Sequence, residues 1–198
     1  MQAMTLPGLE SGAIRVRAIE ELMHEHRVIE VVLTGLERMA QRAKDSGEVN
    51  QGMAEKALET LRHFADKCHH AKEERNLFQL MAERGVPREG GPLGVMLLEH
   101  EQGRHHIETM ARVLPGASRG DTEALRVFAA HARSYARLLR QHIGKEDKIL
   151  YPMAEQVLTA DDDERLVKAF EVVEREEMGE GAHEKYQRWA YESAKHRD

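Results

Sequence analysis

Glu25-His26 is followed, 43 residues after the histidine, by His69 with Glu73 four places on; Glu99-His100 is followed 42 residues later by His142 with Glu146 four places on. A unit of about 74 residues used in two copies accounts for the pattern. Each copy carries two histidines and one carboxylate. Six such groups gathered in one helical bundle suit a pair of transition-metal ions.

Aligned without a gap, His69 lies over His142 and Glu73 over Glu146, while His70 falls over Ile143 and Glu74 over Asp147. The second member of each doublet is therefore expected outside the shared role. On a helix, positions i and i+4 share a face one turn apart, so His69 can bind one ion while Glu73 reaches between two. His142 and Glu146 do the same from across the bundle. His26, His69, Glu73, His100, His142 and Glu146 form the candidate ligand set, the two glutamates as bridges. Each ion then receives about four protein ligands, leaving an open position for a small molecule such as dioxygen. Imidazole and carboxylate ligands suit iron first, with manganese or zinc as possible substitutes. The competing reading is a metal-free polar core, which a buried network of this size disfavours.

The remaining chemistry-bearing residues have plainer expectations. His70 is an alternative fifth histidine ligand, but adjacent helical residues point about 100° apart, which turns it away from the face of His69 and makes a place outside the set the plainer expectation. His105 and His106 lie off the face of His100 and should meet solvent. His131 is expected to be hydrogen-bonded at the bundle end, about 16 Å from His142. His24, His63, His183 and His196 are assigned to surface or local structure. Cys68 is alone, which excludes an internal disulfide and reads as a small buried hydrophobe. Tyr135 and Tyr151 share faces with the ligands and are candidate proton donors, with packing as the plainer role. Asp161-Asp162-Asp163-Glu164 reads as a capped helix start, lacking the alternating ligands of a calcium loop.

These residues need long helices to position them. Apolar spacing predicts helix 1 up to Lys44-Asp45-Ser46-Gly47 and helix 2 from about Gln51 to Arg84, with Leu58, Leu61, Ala65, His69, Glu73 and Leu77 on one stripe. Helix 3 is expected from Leu93 to Leu114, stopping at Pro115-Gly116. Helix 4 follows the Asp121 cap toward Leu158, with a kink or new turn at Pro152. One or two further helices follow Asp161, split near Gly179-Glu180-Gly181. No segment alternates as a strand does. The fold class is all-α: an up-down-up-down four-helix bundle over residues 1–158, with a helical tail, 159–198, packed on or beside it in the same domain.

Hydrophobic residues make up 41% of the chain and charged residues 32%, as in a soluble globular protein. The formal charge of −6 is interleaved, giving no basic stripe for nucleic acid. No apolar run reaches membrane-spanning length, and Met1 to Gly12 lacks the pattern of a signal peptide, so the expected location is cytoplasmic. A monomer or homodimer is expected.

Glu25-His26-Arg27-Val28-Ile29, His69-His70-Ala71-Lys72-Glu73-Glu74 with Leu77-Phe78, Glu99-His100, and His142-Ile143-Gly144-Lys145-Glu146-Asp147 with Leu150-Tyr151-Pro152 resemble the hemerythrin-like, or HHE cation-binding, family. The resemblance covers about residues 15 to 158. It implies a non-haem centre of two iron ions, with an oxo or hydroxo bridge expected. It further implies a protein that binds or senses dioxygen, nitric oxide, peroxide or iron, a peroxidase, nitric oxide reductase or iron-centre repair enzyme, or a structural metal protein. Oxygen-carrying hemerythrins use two histidines four apart on helix 3, where Arg104 stands here, and an Asp that would correspond to Asp147. Their balance of five histidines to two carboxylates is not met by the six residues, so the pattern resembles the more symmetric bacterial branch.

Overall fold

The computed structural model describes residues 16–195. Ile14, the first apolar position of the expected helix 1, the Met1 to Gly12 segment and His196 lie outside the described residues. Six helices order the described chain: α1 Arg17–Asp45, α2 over 51–83, α3 Pro92–Ala117, α4 over 122–157, α5 Ala160–Glu177 and α6 Ala182–Lys195. No strand occurs among the described residues.

Local chemistry sets the helix ends. The Asn50 side chain accepts from the Met53 amide to start α2, and Asp121 accepts from Ala124 to start α4. Gly91 and Pro92 open α3, where proline's missing N–H leaves no helical bond unmade. α3 does not stop at Pro115, as its sequence suggests, but runs on to Ala117. Its stop is Gly120, at φ +83°, where the amides of Gly120 and Asp121 bond back to the carbonyls of Ala117 and Gly116. A proline in the last turn removes one bond, whereas the left-handed glycine reverses the chain.

α2 and α4 are not regular throughout. α2 is wound with i→i+5 hydrogen bonds over Leu61–His70 and Glu73–Leu77, and α4 over Glu146–Leu150. The amide of Phe78 bonds to the Glu73 carbonyl, and that of Tyr151 to the Glu146 carbonyl. Pro152 follows the second wide turn, but Gln79 follows the first, so proline is not the common cause. Such turns concentrate at functional positions, and here both begin at a paired glutamate.

The core lies in two apolar clusters. One gathers Val28, Leu33, Leu36, Leu61, Phe64, Ile107, Met110, Phe128 and Leu139; the other gathers Ile19, Leu22, Leu77, Met81, Leu93, Met96, Leu150, Tyr151 and Phe170. α1 and α3 enter from the second cluster and pass into the first; α2 and α4 run in the reverse order. Between the clusters each of these four helices contributes buried histidine or glutamate. Each fully buried Leu, Ile or Phe is worth about 1.5–3 kcal/mol, so two apolar layers can support one polar layer.

The tail helices are stitched to the others. Thr159 and Asp162 form a reciprocal capping box at the start of α5. Asp163 accepts from the Ala18 amide at 2.9 Å and from Arg17, capping α1 from α5. Arg84 grips Asp162 through two bonds of 3.0 and 2.8 Å, tying the end of α2 to α5.

Candidate metal centre

The six expected residues come together in the polar layer, each at most 1% exposed. They fall into two groups whose potential ligand atoms lie within 4.8 Å of one another: His26, His69 and Glu146 in one, His70, Glu73, His100 and His142 in the other. Nε2 of His100 and Nε2 of His142 face each other at 3.0 Å. Each glutamate reaches across the groups. Glu146 lies 3.2 Å from Nε2 of His26 and 3.1 Å from Nε2 of His142; Glu73 lies 3.8 Å from His69 and 3.5 Å from His100.

A shell of carboxylates holds the outer nitrogens. Nδ1 of His26 bonds to Asp147 at 2.7 Å, His69 to Glu25 at 2.8 Å, His100 to Glu74 at 2.7 Å and His142 to Glu99 at 2.9 Å. Asp66 stands 3.5 Å from Nδ1 of His70. A carboxylate at Nδ1 puts the proton there and turns Nε2 inward as a free lone pair, the arrangement that orients metal-binding imidazoles. The acids are fixed in turn: Arg27 binds Asp147, Arg104 binds Glu74 at 2.5 Å, and Lys145 binds Glu99.

Inside this shell the charges are unbalanced. Burial and the neighbouring Glu146 push Glu73 well above the usual carboxylate range. Burial opposes ionisation of Glu146 too, but the facing His142 and His26 imidazoles hold it well below that range. Burial lowers His69 to about 4, and burial with the nearby His70 and His142 holds His100 well down. His142, against its burial, is raised to about 9 by Glu146 and Glu99. Oε2 of Glu73 and both oxygens of Glu146 are buried without a hydrogen-bond donor. Carboxylate oxygens left without a donor opposite inward-facing imidazole nitrogens are costly in a dry interior unless a proton or a cation lies between them, and metal cations there remove the cost. The residues present therefore fit a pair of metal ions.

Two departures from the sequence expectations stand out. His70 is buried within the second group, stacked on His100 with ring centroids 3.7 Å apart. The i→i+5 winding of Leu61–His70 turns the chain less per residue than an α-helix, so His69 and His70 both face inward. With His70 the layer holds five histidines and two carboxylates, the balance the six-residue set lacked. Glu74 and Asp147 likewise do share a role, each bonding the α3 or α1 histidine of the other copy; their alignment was the available signal.

Other candidates sort clearly. Tyr151 donates to Glu73 at 2.8 Å and lies 3.3 Å from Nε2 of His26. Tyr135 is buried in the first apolar cluster against Gly103. His105 is exposed, and His106 and His131 meet through their Nδ1 atoms at 3.0 Å. His24 is exposed and His63 stacks on Tyr186. His183, assigned to surface or local structure, instead bonds Glu25 at 3.0 Å from α6; nothing in its spacing announced this. Cys68 is buried, and burial pushes its thiol up. Glu25, Cys68 and Glu174 also converge, but the buried Lys72 ammonium already bonds Glu25 and Glu174 at 2.6 and 2.5 Å.

Comparison with known proteins identifies a family. The family profile described as hemerythrin HHE cation binding domain matches residues 17–154. Uncharacterized proteins of Mycobacterium bovis and Mycobacterium tuberculosis are 23% identical over 167 residues, 84% of this chain. The chain spans 65% of the length of these relatives. No solved structure gives a significant match. No described helix is long and apolar enough to cross a membrane.

Proposed function

The chain belongs to the hemerythrin family of HHE cation-binding domains, and on that premise we propose that it is a non-haem di-iron protein that binds or senses a small molecule. The alternating passage of α1 to α4 through the two apolar clusters supports an up-down-up-down bundle around the centre. His26 and His69 would hold one ion, and His70, His100 and His142 the other. Glu73 and Glu146 would be shared.

The observation that carries this reading is the pair of glutamates reaching both histidine groups while Oε2 of Glu73 and both oxygens of Glu146 lack donors. When bound, iron supplies reversible redox change and an affinity for dioxygen, nitric oxide or peroxide. The protein residues do the rest. The outer carboxylates keep each imidazole oriented, and the two apolar clusters exclude bulk water. The His26 group offers one imidazole fewer than the other, so an ion held there would have the smaller set of protein ligands and the more room for a small molecule.

One observation favours an enzyme as second reading. The Tyr151 hydroxyl is buried between Glu73 and His26, where it can hold or deliver a proton. Elemental analysis of protein prepared with iron should find about two iron ions per chain. Air admitted to the reduced protein should then change its visible spectrum; persistence of the change speaks for binding, decay for turnover. Protein without iron, or with zinc alone and no response to air, would overturn the proposal.

A further inference from the structure

A separate cavity of about 840 Å³ opens between the second half of α1, the start of α2, the turn after α3 and the end of α6. It shares no residue with the histidine layer. Its size is that of a small-molecule site. Met39, Met53 and Trp189 give it an apolar lining, continued by valines of α1. Arg38, Arg42 and Arg119 stand around it, and none of the three guanidinium groups has an ion-pair or hydrogen-bond partner among the described residues. Arg84, Arg104, Arg126 and Arg140 are paired with acids, while Arg62 and Arg137, like the cavity arginines, have no partner among the described residues. Glu48 is the one acid on the lining.

Arg38 and Arg42 lie four residues apart on one face of α1, and Arg119 approaches from the turn after α3. Guanidinium forks suit a planar carboxylate, to which they can bond in pairs. We infer that this cavity binds an amphipathic carboxylate, its head at the arginines and its aliphatic chain against Met39, Met53 and Trp189. The site does not depend on the metal centre.

Trp189 is the only tryptophan of the chain, so its fluorescence reports on the cavity directly. The full-length protein, titrated with dodecanoate below its micelle concentration, should show a saturable spectral shift at one ligand per chain. Dodecyltrimethylammonium should give none, and dodecanol a weaker one. Arg38→Gln with Arg42→Gln should weaken dodecanoate binding by about tenfold or more; an unchanged melting temperature shows that variant folded. No saturable shift, equal binding of the cationic amphiphile, or undiminished binding by the folded double variant would each overturn the inference.

Discussion

Lys72 is wholly buried, and its ammonium bonds Glu21 and Glu25 at 2.6 Å and Glu174 at 2.5 Å. Burial opposes its charge, yet the three acids hold its pKa well above the ordinary value. Removing one partner of such a group leaves buried charge uncompensated. Lys72→Met should therefore cost about 3–5 kcal/mol, read as a fall in melting temperature of about 10 °C. Lys72→Met with Glu25→Gln should recover part of the loss, and a single variant as stable as wild type would refute the role. At the centre itself, Glu73→Ala, His142→Ala and His70→Ala should each lower bound metal and its stabilisation together, measured by elemental analysis and calorimetry. Metal content unchanged by all three would remove the ligand assignment. Six of the seven residues that converge in the buried layer were legible because the repeat wrote each kind of position twice. His70 was not, since Ile143 stands at its counterpart and its inward turn depends on a helix winding that residue types do not encode.

Among the elements, α5 is the one whose attachments are most exposed to test. Asp162 is 1% exposed and gripped by Arg84, whose guanidinium, with the capping bonds at Thr159, draws the carboxyl down to about 2. A folded-state pKa below the unfolded one contributes stability above the unfolded value of 3.8, and that contribution fades as pH falls through about 2. Metal-free wild-type protein should thus melt above Asp162→Asn by a constant few degrees at neutral pH, about 2–4 °C per kcal/mol. The gap should close between about pH 4 and pH 2; a gap independent of pH would dismiss the ion pair as its source. The helices and most of their ends were readable from apolar spacing, caps and glycines. The exception, Pro115, shows that a missing N–H near a terminus is a weaker stop than a left-handed glycine one turn later. The docking of α5 and α6 was not readable, because Asp163 capping α1 and His183 reaching Glu25 join residues 145 and 158 positions apart.

For the molecule as a whole, the carboxylate shell has a consequence for how the two copies depend on each other. Glu25 serves His69 and Glu99 serves His142 within a copy, but Asp147 serves His26 and Glu74 serves His100 across copies. Neither half can orient all its own imidazoles. A chain cut between Glu89 and Gly90 should yield fragments that bind metal only once paired, checked by co-purification, size and metal analysis; a monomeric fragment that loads metal would contradict this. The same reciprocity gives the duplication a history. A single ancestral half, lacking a fused sister, could have closed this frame by pairing with an identical chain, each lending the other its acid. A fused pair keeps its partner permanently and leaves the halves free to differ, so that His70 can have Ile143 as its counterpart, and Phe78 Tyr151, without breaking the exchange that both still need.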